Sequence, residues 1–218
     1  MRFENVKEVR IEAVNGRLNI KGWDEEHVEL EYRFHGDDVK VETDMRNGTL
    51  TVVEKPRRKF FNLLGKDSWA EISLKVPKNV IVNARNVNGK LKARGVRFEE
   101  ATTVNGEMHL EDCEAEKVST VNGEIKAHLK VAGPLKASTV NGDLEITIEE
   151  LEGDIDVSCV NGHVTLRLTD FCDARIVEKR VNGDVKLVGM DPNDPVIGTG
   201  EFTVKVSTVN GDVRVELI

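Results

Sequence analysis

Carboxylates are the residues of this chain whose types and spacing could do chemistry. Glu149, Glu150, Glu152, Asp154 and Asp156 crowd one stretch, and Glu111, Asp112, Glu114 and Glu116 another. On a rigid β surface such groups can cleave polysaccharides, in some cases with calcium. Charge runs of this kind are mostly solvated rims, however, and no EF-hand loop or glycine-aspartate calcium repeat accompanies them. His27, His35, His109, His128 and His163 have no ligand spacing and no paired cysteine, which argues against a metal centre. There is no Ser-His-Asp pattern or phosphate loop, and Gly198-Thr199-Gly200 is too short for a dinucleotide fingerprint. The expectation is no catalytic residue, no metal and no cofactor: a protein that is not an enzyme.

The elements that position these side chains are set by a tripeptide. Val-Asn-Gly occurs eight times, and Arg46-Asn47-Gly48 is a near-copy. From Val87 the copies are 17, 17, 19, 20, 21 and 28 residues apart, a drifting period typical of stacked units whose loops absorb length changes. The expected corners are Asn15-Gly16, Asn47-Gly48, Asn88-Gly89, Asn105-Gly106, Asn122-Gly123, Asn141-Gly142, Asn161-Gly162, Asn182-Gly183 and Asn210-Gly211. Gly takes positive φ without cost and Asn tolerates it best of the others. Alternating apolar residues flank the corners, as in Ile155, Val157 before and Val164, Leu166, Leu168 after. That pattern predicts half-buried strands.

Composition narrows the class. Hydrophobic residues make up 39% but aromatics only 5%, so the core must be Val, Leu and Ile, which pack in rows on pleated surfaces. Charged residues at 32% and the absence of Gln lean towards a heat-adapted source, where Asn-Gly sites would need to be rigid to resist deamidation. A net charge of −8 argues against nucleic acid or an anionic membrane as a general partner. Cys113, Cys159 and Cys172 form no CxxC, and reduced structural thiols are the simplest assignment. Cys159 stands where other repeats carry Thr. No signal-peptide core or membrane-length apolar run is present, so a cytoplasmic location is expected.

Residues 1–84 carry the pattern loosely and residues 85–218 regularly, within one expected domain over 1–218. The break from Lys55 to Trp69 has no strand pattern and mixes basic residues with Phe60, Phe61, Leu63, Leu64 and Trp69. It could dock a partner or a lipid headgroup region, with Arg57 and Arg58 beside the apolar residues, or fold back to cap the stack.

Two architectures fit: an antiparallel meander with Asn-Gly hairpins, or a β-solenoid with Asn-Gly corners. A meander would expose eight valines, whereas a solenoid corner can turn them inward and stack the Asn side chains as a ladder. This favours an all-β, β-helix-like solenoid with about one coil per Val-Asn-Gly. The recurring Ser-Thr-Val-Asn-Gly-Asp/Glu-Val/Ile/Leu (Ser119 to Ile125, Ser138 to Leu144, Ser207 to Val213) resembles the DUF4097 family of adhesin-like, β-strand-repeat proteins. Val14-Asn15-Gly16 with Leu18-Asn19-Ile20, and Leu74-Lys75-Val76-Pro77, match it too. The resemblance implies a β-helix-like fold and a binding or scaffold role, without catalytic residues.

The expected function is therefore a scaffold or binding module for a protein or carbohydrate ligand. Self-assembly is expected through a bare final strand carrying Val213, Val215 and Leu217. The rival classes are a polysaccharide-acting enzyme and a peripheral membrane protein using the 55–69 segment.

Overall fold

A computed structural model describes residues 1–57 and 68–218. All regular structure in the described residues is β. The first part holds β1 (Arg2–Phe3), β2 (Glu8–Ala13), β3 (Arg17–Trp23), β4 (Val28–His35), β5 (Val39–Arg46), β6 (Thr49–Pro56) and β7 (Trp69–Pro77). The regular repeats hold β8 (Ile81–Asn88), β9 (Leu91–Arg94), β10 (Arg97–Asn105), β11 (Met108–Asn122), β12 (Ile125–Asn141), β13 (Leu144–Leu151), β14 (Ile155–Asn161) and β15 (Val164–Leu168). The last part holds β16 (Ala174–Asn182), β17 (Val185–Val188), β18 (Val196–Ile197), β19 (Phe202–Asn210) and β20 (Val213–Leu217).

Each Val-Asn-Gly joins two ladders. The strands that precede it, with β6 added at one end, stack in the order β6, β2, β8, β10, late β11, late β12, β14, β19, β16, all parallel. The strands that follow it, with β7 added at the same end, stack as β7, β3, β9, early β11, early β12, β13, β15, β20, β17, again parallel. This is a solenoid-like arrangement. Antiparallel β5 and β4 close one end. Alternation sends Val118, Thr120, Ile125, Ala127 and Leu129 inward to one core of branched and small side chains, in which Phe98 is the one buried phenylalanine among the described residues.

Close approach of neighbouring corners explains the glycines. A Cβ at Gly106 would sit 1.7 Å from the Gly89 carbonyl oxygen, and at Gly123 2.0 Å from that of Gly106. Gly106 is outside the left-handed region, so the demand is for space as well as for φ. Asparagine has a different role. None of the eight Val-Asn-Gly asparagines takes positive φ. Instead their amides form one continuous ladder, each Nδ2 donating to the neighbouring Oδ1 at 2.8 to 2.9 Å, from Asn182 through Asn210, 161, 141, 122, 105 and 88 to Asn15. Inside the corner, Thr139 and Thr208 donate to the Gly123 and Gly162 carbonyls of the adjacent repeat, and Cys159 does so to Gly142.

The structure corrects three expectations. The corner valines point outward: Val87, Val104, Val121, Val140, Val160 and Val209 are 38 to 40% exposed and Val181 is 71% exposed. The alternation that buries Thr simply continues, so the next residue faces solvent and Asn, not Val, lines the turn. Asn47-Gly48 is no corner. Both residues are left-handed and link antiparallel β5 and β6, a two-residue hairpin turn. Finally, β20 is not a bare edge. It lies between β15 and β17, with Val213 paired to Val164 on one side and Val185 on the other, so Val213 and Val215 are buried and Leu217 is partly buried. The chain passes to β16 and β17 first and then returns to fill the gap with β19 and β20.

Gly106→Ala should therefore cost about 3 kcal/mol or more, because a backbone oxygen cannot swing away. Gly95, at φ +63 with nothing within 4 Å of its added Cβ, should lose only about 1–2 kcal/mol as Ala. Urea melts of the two variants give the comparison, and equal losses would refute the stacking explanation.

Candidate functional site

The outward face of the strands before the corner repeats one design. Immediately before Asn stands Val. Two residues earlier come Thr102, Ser119, Ser138, Ser158 and Ser207, half-buried and stacked in register, with Lys179 ending the row. Two earlier again the residues are Glu100, Lys117, Lys136, Asp156 and Lys205. Period-two geometry puts all three rows on one surface. Beyond the Asn ladder a fourth row follows Gly: Arg17, Lys90, Glu107, Glu124, Asp143, His163, Asp212, Asp184 in stacking order, basic at one end and acidic at the other.

Lateral ion pairs tie this surface together. Glu100 accepts from Lys117 Nζ at 2.5 Å and from Arg85 at 2.6 Å; these partners, Lys117 first, hold its carboxyl below the usual range. Arg10, Asn83 and Glu99 border the same shallow groove of about 540 Å³. On β5 and β6, Lys40 and then Lys55 draw exposed Glu42 down to about 2.

The sequence-level candidates are placed as follows. In the first acidic cluster Asp156 pairs with Lys205 at 3.0 Å and Asp154 accepts the Thr203 amide at 2.7 Å. His128 lies between Glu149, at 2.9 Å, and Asp112, at 3.3 Å. Arg94 and Arg97 meet Asp112 and Glu114. These carboxylates thus staple neighbouring repeats, with Glu149 and Asp112 meeting at His128. No group of three His, Cys, Asp or Glu suited to a metal occurs among the described residues. All three cysteines are free and buried, and burial pushes each thiol up. Trp69 is stacked on His35 at 3.8 Å with Arg17 over it at 4.4 Å, and Arg57 lies 6.0 Å from the Phe34 ring. Arg58, Phe60, Phe61, Leu63 and Leu64 lie outside the described residues.

Sequence reasoning missed Glu54. Fully buried, its Oε2 accepts the Val14 and Asn15 amides at 2.6 and 3.0 Å. It serves the corner where the Asn ladder stops, and nothing in its local spacing announces the role.

These corners, with Ser-Thr-Val-Asn-Gly in register from repeat to repeat, coincide with the region matched by the DUF4097 family, described as Toastrack, over residues 82–216. The chain belongs to the DUF4097 family. The Toastrack match begins in β8 and runs into β20, taking in seven of the eight Asn ladder positions. A similar solved structure is a "putative cell adhesion protein" from Clostridium sporogenes, 13% identical, covering 98% of this chain and 94% of that one with a TM-score of 0.44. Another is a "putative adhesin" from Bacteroides fragilis, 13% identical, covering 99% and 94% with a TM-score of 0.46. No curated protein matches. No helix of the described residues is long and apolar enough to cross a membrane.

A depressed carboxyl contributes stability that is present above its unfolded value and lost as pH falls through its folded one. For Glu42 the window runs from the ordinary 4.5 down to about 2, and Glu100 acts in the same direction. The melting temperature should therefore fall between about pH 5 and about pH 2.5. In Glu42→Gln/Glu100→Gln the fall should be shallower by circular dichroism; an unchanged slope would exclude these pairs as its source.

Proposed function

We propose that the chain is a non-enzymatic binding module of adhesin-like type. It is a β-solenoid with one coil per Val-Asn-Gly that presents ordered side-chain rows to a protein or carbohydrate ligand. The carrying observation is the in-register row Thr102, Ser119, Ser138, Ser158 and Ser207, with Lys117, Lys136 and Lys205 beside it. Hydroxyls held about 4.8 Å apart along the stack, with lysines interspersed beside them, can meet a polymer that itself repeats, each contact weak and their sum selective. The Asn ladder and the glycine contacts below keep the spacing fixed, so little ordering cost remains on binding.

The neighbouring acidic residues support presentation over hydrolysis. Asp154, Asp156, Asp112 and Glu114 bond to groups on adjacent repeats, whereas glycoside cleavage needs two carboxyl groups facing each other across a substrate, ~5–9.5 Å apart. The test is a panel of purified polysaccharides and surface proteins immobilised and challenged with the full chain. We expect retention without release of reducing ends, and at least about a tenfold weakening in Ser119→Glu/Ser138→Glu/Ser158→Glu. Reducing ends released by the wild type but not by Glu149→Gln would replace this reading with the enzymatic one.

A further inference from the structure

The valine column bears on what the corner itself meets. Seven half-exposed or exposed valines, from Val87 to Val181, follow one another along the stack, where any polar residue could stand without disturbing the core. At about 4.8 Å per repeat, these seven valines give an apolar stripe about 29 Å long. A contiguous apolar strip on an otherwise charged surface marks an interaction site.

Charge selects the occupant. Across the Asn ladder the fourth row changes sign along its length, from Arg17 and Lys90 to Asp212 and Asp184. A second copy laid alongside in the same direction sets acid against acid. Laid antiparallel about a two-fold axis, it sets Arg17 against Asp184, Lys90 against Asp212 and Glu107 against His163 twice over, leaving acid against acid at Glu124 and Asp143, while the valine columns meet alongside. An isologous contact of this kind is self-complementary and closed.

At the β16 edge, strand addition is opposed. In β16, at the far end, the inward positions that carry Val206 and Thr208 in β19 carry Glu178 and Arg180, an ion pair at 3.7 Å. Inward charges on a terminal strand oppose the addition of another strand. Antiparallel β4 and β5 close the other end.

We propose that the Val-Asn-Gly corner is a lateral docking surface for a second copy of this chain, packed antiparallel, with valine on valine and basic end on acidic end. It rests on the presentation reading only for the rigidity of the face. The strip offers on the order of 500 Å² per copy, the size of a weak, salt-sensitive association.

Sedimentation of the full chain tests this, over about 1 to 500 μM in low and high salt. The wild type should approach twice its monomer mass at the upper end and revert in high salt. Val121→Lys/Val140→Lys should weaken association at least about tenfold with the melting temperature held. Arg17→Glu/Lys90→Glu and Asp184→Lys/Asp212→Lys should each be monomeric alone and should pair with each other when mixed, which a folding defect cannot produce. A wild type that stays monomeric, valine variants that still dimerise, or charge variants that fail to pair would each overturn the proposal. Polymer retention measured on the same variants separates its failure from that of the presentation reading.

Discussion

The separation between neighbouring corners is the constraint on which the rest of the structure depends. Backbone carbonyl oxygens lie where the next glycine's Cβ would be, so the repeats can reach strand spacing only if that position has no side chain. Once there, the asparagine amides are near enough to bond in an unbroken line, and Thr or Cys can reach a neighbour's Gly carbonyl from inside. Turn, ladder and inner hydroxyl are three consequences of one distance. They leave few unpaired polar groups at the corner.

Charge follows the same geometry. With 32% charged residues, the outer rows could have opposed the stacking that creates them, since like side chains fall above one another. Many positions instead alternate in sign or reach across a strand, as Glu100 does between Arg85 and Lys117. Single exposed pairs are worth little; their value here lies in removing repulsion from a surface that must be ordered in rows.

Much of this was legible in the sequence because period-two alternation and a fixed tripeptide are local signals. The strands of the regular repeats and the asparagine ladder follow from them. The direction of the valines did not, because alternation cannot say where it ends at a turn. Asn47-Gly48 misled because one dipeptide answers two needs, positive φ in a hairpin and side-chain space plus an amide in a stacked corner. The order of the final repeats was out of reach for a deeper reason. Ser158-Cys159-Val160-Asn161-Gly162 and Ser207-Thr208-Val209-Asn210-Gly211 present almost the same edge, so local pairing preferences cannot choose which stacks where. The choice lies in the link from Gly189 to Glu201, and in Glu178 and Arg180, whose charges suit a terminal place. Glu54 was hidden because its partners are 39 and 40 residues away.

Insertion of β19 and β20 between strands that come earlier in the chain also has a mechanical side. A pull on the chain at Ile218 reaches a strand bonded along both flanks, so two rows of hydrogen bonds are loaded together and along the strand axis. A terminal strand would instead peel one bond at a time from a single row. β20 is thus held where tension is shared.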